Sequence, residues 1–411
     1  MKLTTGKTYW AKANEPPPRY PRLKQDVRCD VAIIGAGISG ALLAHQLVKA
    51  GQQVVVIDKR PAGTGSTSAS TALLLYETDT SLAEVARIHG KKSAFRVYAL
   101  GRQAIREIAA LARSIGGECG FEWRKTLYLA SDAAGLVQLK EELRLRRQAG
   151  FTGALLNRRQ LVRQFGLRFP GGLYAPGSAQ VDAMALAQGL LARHVARRKL
   201  RVFQGTRVVR MKASADGVRL RTANRRTIEA RHVIIATGYE AAPFLDADRV
   251  QLHSSYVIAS QPQPAAALWP DRCLIWETAR PYFYLRTTAD GRILMGGEDE
   301  PFADPARRDA KLPAKTRKLA RRFHQLFPKI PFDVEFAWTG TFGETRDGLP
   351  YIGAVQDSPR VLYALGYGGN GITFSQIAAK LLGRICQGRP APDLRLFRLD
   401  RKESTGSRPK R

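Results

Sequence analysis

Apolar positions in this chain fall into short β-branched runs and longer stretches of helical period, and one alternation of the two organises the N-terminal part. Residues 31–34 are an unbroken apolar run, too short for a helix, and read as a buried strand. A helical pattern through Leu42, Leu43, Gln46 and Leu47 follows and closes at Gly51; residues 54–57 are a second buried run that ends on Asp58. The turn between the first strand and the helix reads Gly35-Ala36-Gly37-Ile38-Ser39-Gly40. Gly35 permits a tight turn, Gly37 leaves room for a pyrophosphate, and Gly40 lets the helix pack on the strand. Unpaired N–H groups and the positive end of the dipole at the helix N-terminus suit a diphosphate. Asp58, 23 residues after Gly35, stands where a carboxylate binds the ribose hydroxyls of an adenosine.

The rest of the chain is read in order. Residues 1–26, with Tyr9-Trp10 and a proline cluster, predict an extended arm docked by its aromatics. Residues 59–71 are rich in Gly, Ser and Thr; Lys59, Ser66, Thr67 and Ser68 offer short polar contacts to a diphosphate. A helical region from 73 to 114, with Tyr76 facing a pocket, precedes a strand at 121–130 and helices at 135–149, 157–165 and 181–198. Strands follow at 201–204, 207–212, 218–222 and 227–231, then a buried strand at 233–235, which ends in Ala236-Thr237-Gly238. A small-residue turn at the carboxyl end of a buried strand lies where α/β sheets bind ligands. Between 241 and 335 the pattern alternates, predicting antiparallel strands at 253–260, 273–277, 282–286 and 292–297, with a basic helix at 312–327 and a strand from 334 to 341. A strand at 361–365 runs into Gly366, then Gly369, Asn370, Gly371, Ile372 and Thr373, and opens a helix at 374–387. That N-terminus is a second place where backbone donors face negative charge.

Composition narrows the class. At 411 residues the chain can hold more than one domain. Residues 1–10 carry no apolar core of a signal peptide, and the longest apolar runs contain glycines, so no signal peptide and no membrane insertion are expected. Four scattered cysteines (Cys29, Cys119, Cys273, Cys386) form no C-x-x-C pair, which predicts a reducing, cytoplasmic setting and no metal site. The net charge is +31, from 66 basic against 35 acidic residues, which would suit nucleic acid, anionic lipid or anionic metabolites. The basic residues are spread out, apart from 193–201, 315–322 and the tail 401–411, and no nucleic-acid-binding signature accompanies them. A solvated basic surface is the expectation, not a nucleic-acid partner.

The early glycine motif, the late Ala236-Thr237-Gly238 turn and the run 366–374 together resemble the FAD-dependent oxidoreductases of the D-amino-acid oxidase family, which includes glycine and sarcosine oxidases. With the Tyr9-Trp10 arm they are most similar to its gamma-glutamylputrescine oxidoreductase-like members. The resemblance covers about residues 8–390 and implies an α/β fold: a Rossmann-like, two-dinucleotide-binding FAD domain with an inserted α+β substrate domain built on an antiparallel sheet. It implies an FAD domain in three parts (27–114, 176–240, 336–392) and a substrate domain in two (115–175, 241–335), besides the arm and a basic tail at 393–411. FAD would be held by residues Gly35 to Gly40, by Asp58 and Lys59, by Ser66 to Ser68, with Val208 beside the adenine, Thr237 and Gly238 nearby, and Gly366 and Gly369 to Thr373 against the isoalloxazine. The family oxidises a C–N bond by hydride transfer to flavin N5, giving an imine that hydrolyses; the cofactor carries the chemistry. A substrate carboxylate needs a cation: Arg286, two residues after Tyr284 on one strand face, is the candidate clamp. Tyr284 and Tyr256 are candidate pocket aromatics beside Tyr282, and His253 a candidate base.

Two departures from the family pattern bear on the chemistry. Residues 338–344 lack the cysteine that tethers flavin in covalent members, so FAD is expected to be non-covalent. Residues 292–297 lack the lysine that assists reaction with oxygen in monomeric sarcosine oxidases, which leaves the acceptor open between oxygen and a quinone or partner protein. The readings carried forward are an FAD-dependent oxidoreductase of a small amine or amino acid, a flavin dehydrogenase feeding another acceptor, and a flavin-containing nucleic-acid-binding or modifying protein.

Overall fold

The computed structural model of the chain describes residues 2–14, 16, 18–117, 119–240, 250–355 and 357–401. Residues 402–411 of the expected basic tail lie outside them. Val31, Ala32 and Ile33 are fully buried because their strand, Val27–Ile34, runs through the middle of a parallel layer. It pairs in parallel with Val54–Ile57 on one side and Thr227–Ile235 on the other, so that Ile34 lies opposite both Ile57 and Ile235. Leu200–Phe203 and Val361–Leu365 extend this sheet outward, and Tyr351–Ala354 closes its edge antiparallel. Uninterrupted apolar strands suit a sheet covered on both faces. One cover is the helix Ile38–Lys49, packed between Gly371–Cys386 and Ala183–Ala196.

A second sheet, ten-stranded among the described residues, carries Val334–Thr345, Val250–Ser260, Ile293–Glu300, Tyr284–Thr287, Leu274–Glu277, Glu122–Ala130 and Gly171–Gln180 in that order. It is antiparallel except where Leu274–Glu277 meets Glu122–Ala130 in parallel, Leu274 opposite Thr126. That pair joins two stretches far apart in sequence into one layer. The helix Pro305–Leu326 covers one face, packing Leu319 and Phe323 over Tyr256, Ile258 and Met295. Alternate residues on the same strands, such as Ser255 and Val257, face the opposite way, into a cavity between the sheets.

Several expectations need correction. The N-terminal arm is not simply extended: Thr4–Gly6 adds a strand to the edge of Val334–Thr345, and Tyr9–Ala13 is a short helix with Trp10 buried. The expected boundaries at 175/176 and 335/336 cut through Gly171–Gln180 and Val334–Thr345, which remain in the second sheet along their whole length. Residues 73–114 are not helical throughout; Leu73–Leu74 is a strand, followed by the helices Leu82–His89 and Lys91–Ser114.

Beneath the glycine turn, His45 and His194 join the helices Ile38–Lys49 and Ala183–Ala196 through ring nitrogens 3.0 Å apart. Burial, the facing imidazole and nearby Lys49 and Arg193 hold His45 down at about 4, and burial with Arg193, Arg197 and Lys199 lowers His194. The unfolded chain therefore takes up these protons first. Stability is expected to be full above about pH 6.5 and to fall as pH drops toward 4. Denaturation midpoints at pH 7.5 and 4.5 check this, and the His45→Gln variant should show a smaller difference between the two.

Candidate active site

Between the two sheets lies a continuous cavity of about 630 Å³. One end is built by the carboxyl ends of the parallel strands. Gly35 sits at φ +117°, and a Cβ there would come within 2.3 Å of Ala236 O. A Cβ on Gly37 would come within 2.8 Å of Thr67 Oγ1, and a Cβ on Gly40 would lie 1.8 Å from Gly35 O. Thr67 Oγ1 accepts from Ile38 N at 3.0 Å, which fixes the polar loop to the helix start. Asp58 holds the turn from the other side, its carboxylate accepting from Ala36 N and Arg60 N at 2.8 Å each. Burial raises its pKa, and these two N–H groups oppose the rise.

The second helix N-terminus meets the first. Ser39 Oγ and Ser375 Oγ are 2.7 Å apart and tie the starts of Ile38–Lys49 and Gly371–Cys386 together. Neither first turn contains an acidic residue. Asn370 clamps the segment that crosses below: its Nδ2 donates to Glu77 O at 2.6 Å and its Oδ1 accepts from Asp79 N at 3.1 Å. Trp10 Nε1 and Trp338 Nε1 donate to Ser70 O (2.7 Å) and Ala69 O (2.9 Å), so the arm and the second sheet pin the Gly/Ser/Thr loop.

Most of the sequence-predicted residues reach this cavity. Gly35, Gly37, Ile38, Ser39, Asp58, Lys59, Ser66, Thr67, Val208, Thr237, Gly238, Gly369, Asn370, Gly371 and Ile372 line it, as does Tyr284. Ala36, Gly40, Ser68, Gly366 and Thr373 stand behind it. Gly40 packs on Gly35, Ser68 Oγ donates to Gly65 O, and Thr373 Oγ1 donates to Leu75 O. The backbone N–H of Gly369 is taken up by Asp79 Oδ2 at 2.5 Å.

Arg286 is not a substrate clamp. It shares a strand face with Tyr284, but its guanidinium is 2 % exposed and lies behind the segment 71–72. Nη1 donates to Thr71 O, Ala72 O and Val181 O at 2.8, 3.2 and 2.9 Å, and Nε donates to Thr287 O. Burial draws its pKa down to about 10, with Asp182 opposing. Its work is to hold backbone carbonyls. Arg286→Lys is expected to cost about 1–3 kcal/mol of stability, measured by denaturation, because one ammonium cannot replace the fork. Tyr256 is likewise misplaced: its neighbours Ser255 and Val257 face the cavity, so it turns the other way, under Pro305–Leu326. His253 also lies outside the lining, stacked on Phe342 with Nε2 3.8 Å from Glu344 Oε2.

Residues missed from sequence build both ends. Arg60 forms a double hydrogen bond with Glu240 (2.6 and 2.9 Å), and Lys59 adds a third (2.9 Å). Burial works against the Glu240 charge, but these donors hold it at about 2. At the far end Arg146 lies between Glu77 (3.0 Å) and Glu142 (2.9 Å), all three almost wholly buried. Asp79 and Asp299 border the same end, with Tyr282, Tyr284, Tyr128 and Trp276. The Tyr284 ring lies across Gly296, where a Cβ would be 2.2 Å from it; the paired glycines of the 292–297 run were the signal for this.

The chain is similar to known proteins over most of its length. Residues 30–385 match the family model described as DAO, FAD dependent oxidoreductase. The chain is 27% identical over 384 residues to a glycine oxidase of Geobacillus kaustophilus, covering 91% of this chain and 97% of that protein. It is 25% identical over 398 residues to the gamma-glutamylputrescine oxidoreductase of Escherichia coli, covering 93% and 89%. The crystal structure of glycine oxidase from Geobacillus kaustophilus superposes with a TM-score of 0.77 at 23% identity, over 91% of this chain and 99% of that one.

Proposed function

The chain belongs to the DAO family of FAD-dependent oxidoreductases, and from that premise we propose that it oxidises a C–N bond of a small amine or amino acid at the inner end of the cavity. The observation that carries this reading is continuity: one cavity runs from the glycine turn to a wall of tyrosines and carboxyl groups on the second sheet.

The residues present fit FAD. Gly37 lines the cavity with bare backbone, and two helix starts whose first turns carry no acidic residue converge there. Gly35, Gly37, Ile38 and Ser39 would hold the diphosphate, Asp58 the adenosine ribose, Val208 the adenine, and Ser66, Thr67 and residues Gly369 to Ile372 the flavin side. Bound FAD supplies the two-electron acceptor for the oxidation. The chain's own residues bind and orient the substrate and exclude water: Tyr282 and Tyr284 wall the inner end, and Gly371–Cys386 presents its N-terminal dipole. None of the four cysteines lines the cavity, which supports non-covalent binding. None of the four forms a disulfide with another described residue, which supports a reducing, cytoplasmic setting. Among the described residues no helix is long and apolar enough to cross a membrane.

Anaerobic mixing with a panel of amines and amino acids, followed by assay of released ammonia and carbonyl product, tests the reading. Stoichiometric product from at least one compound is expected; none from any compound overturns it. Admitting air then separates the acceptors, since fast re-oxidation marks oxygen and slow re-oxidation a quinone or partner protein.

A further inference from the structure

The inner end of the cavity is acidic in a strongly basic protein. Glu77, Asp79, Glu142 and Asp299 border it, against the guanidinium groups of Arg146 and Arg280. Neither cation stands ready for a carboxylate among the described residues. Arg146 is held between Glu77 and Glu142. Arg280 lies at the exposed rim, 4.7 Å from the Tyr282 ring, where Nη2 donates to Asp79 O and Nη1 to Ala279 O. Arg286 faces backbone carbonyls behind the lining.

Asp299 has the opposite character. It stands near the end of the strand Ile293–Glu300 and borders the cavity, and its Oδ1 is buried with no hydrogen-bond partner. A buried carboxyl oxygen without a donor is costly unless something supplies one. The cation nearest in charge, Lys315, is engaged by Glu298 (3.2 Å) and Glu300 (2.8 Å). Beside Asp299 stand Tyr282 and Tyr284, ring centroids 5.9 Å apart; Tyr282 Oη donates to Asp79 Oδ1, and Tyr284 Oη lies 3.5 Å from Ser255 Oγ. Carboxylate plus aromatic faces is the chemistry that recognises an ammonium group.

Resting on the C–N oxidation reading above, we propose that this end is an ammonium site with Asp299 as counter-ion, and that the substrate is an alkylamine cation without a carboxylate beside the reacting nitrogen. Among the described residues no uncommitted guanidinium lines this end to anchor an α-carboxylate, and the carboxyl groups repel one. Burial and the like charges of Glu344 and Asp79, against Ser255 and Lys315, hold the Asp299 carboxyl up at about 7. Glu77, Glu142, Arg146, Tyr128, Tyr282, Tyr284 and the rim Arg280 also line this end. An alkylammonium keeps its charge through pH 8, as a lysine does, so amine binding is expected to tighten between pH 6 and 8 as Asp299 ionises.

The test is titration of the FAD-loaded protein under anaerobic conditions with n-butylamine, 1,4-diaminobutane, glycine, sarcosine and 4-aminobutyrate, read as Kd from the perturbed flavin spectrum or by calorimetry. The two amines are expected to bind about ten-fold or more tightly than the three carboxylated compounds. The isosteric Asp299→Asn variant, with an unchanged melting temperature and flavin content, is expected to lose that preference and the pH dependence. Equal or tighter binding of glycine or sarcosine, or an amine Kd within two-fold in Asp299→Asn, overturns the proposal. If Asp299→Asn unfolds, Tyr284→Leu is read in its place, with the same expected loss for the amines. Amines that bind through Asp299 but yield no product support the ammonium site and overturn the oxidation reading; glycine or sarcosine that binds tightly and is oxidised does the reverse.

Discussion

Arg146→Met is expected to destabilise the protein by about 3–5 kcal/mol, the largest loss of any single side chain considered. Arg146 is 1% exposed and donates to Glu142 Oε1 at 2.9 Å and Glu77 Oε1 at 3.0 Å. Without it two buried carboxylates share one pocket with no cation. The group is a hub as well as a pair: Glu142 accepts from Leu82 N and Tyr98 Oη, and Glu77 from Thr126 Oγ1 and Ser178 Oγ. It therefore joins the helix Ala133–Gln148 to the second sheet and to the segment 77–82. Buried ion networks contribute little over a packed apolar replacement but are expensive to break in half. Arg146→Met combined with Glu77→Gln and Glu142→Gln is thus expected to recover much of the loss. Denaturant unfolding of the FAD-loaded proteins measures both; a loss below about 1 kcal/mol in Arg146→Met would show that the network holds nothing together.

The second large effect is at the glycine turn, where two substitutions of equal size should part company. Gly40→Ala sets a Cβ 1.8 Å from Gly35 O and 2.9 Å from Gly35 C, both backbone atoms of the turn itself. One side must move, at about 1–3 kcal/mol, and the turn that holds the diphosphate deforms with it. Gly37→Ala meets only Thr67 Oγ1, at 2.8 Å, a side-chain atom rather than backbone, so the cost is the smaller one of turning or shifting the hydroxyl that accepts from Ile38 N. A smaller loss of stability than in Gly40→Ala is expected there, but the new methyl stands beside the space proposed for the diphosphate. Equilibrium dialysis against FAD should show weak binding in both variants, with the larger drop in the melting temperature of the apoprotein in Gly40→Ala. Parent-like FAD affinity in Gly37→Ala would place the diphosphate elsewhere.

What was legible in the sequence was local. Val27 to Asp58 builds its strand, turn, helix and strand from contacts within one short stretch, each signalled by composition and period. The same holds for Ala236-Thr237-Gly238 and for the glycine-rich start of Gly371–Cys386. The inner end was not legible because its residues come from separate stretches, and nothing in the surroundings of Glu77 announces a partner 69 positions away at Arg146. Arg286 shows a different limit: its strand face followed from its spacing to Tyr284, whereas its depth depends on where the segment 71–72 passes. Tyr256 failed on parity. Residues 253–260 are buried on both faces, so no polar alternation marked which side met the cavity. The two sheet boundaries were misjudged for a related reason, since Gly171–Gln180 and Val334–Thr345 cross the expected limits without a change of pattern.

The central claim, that one cavity holds FAD non-covalently and brings it to an amine, is tested most directly by the visible spectrum of the purified protein, with FAD added if needed, during anaerobic addition of n-butylamine and 1,4-diaminobutane. The account predicts flavin bands that bleach on adding amine, and FAD recovered in the supernatant after heat denaturation. A protein that shows no flavin bands even with FAD added, or whose flavin no amine bleaches, would contradict it.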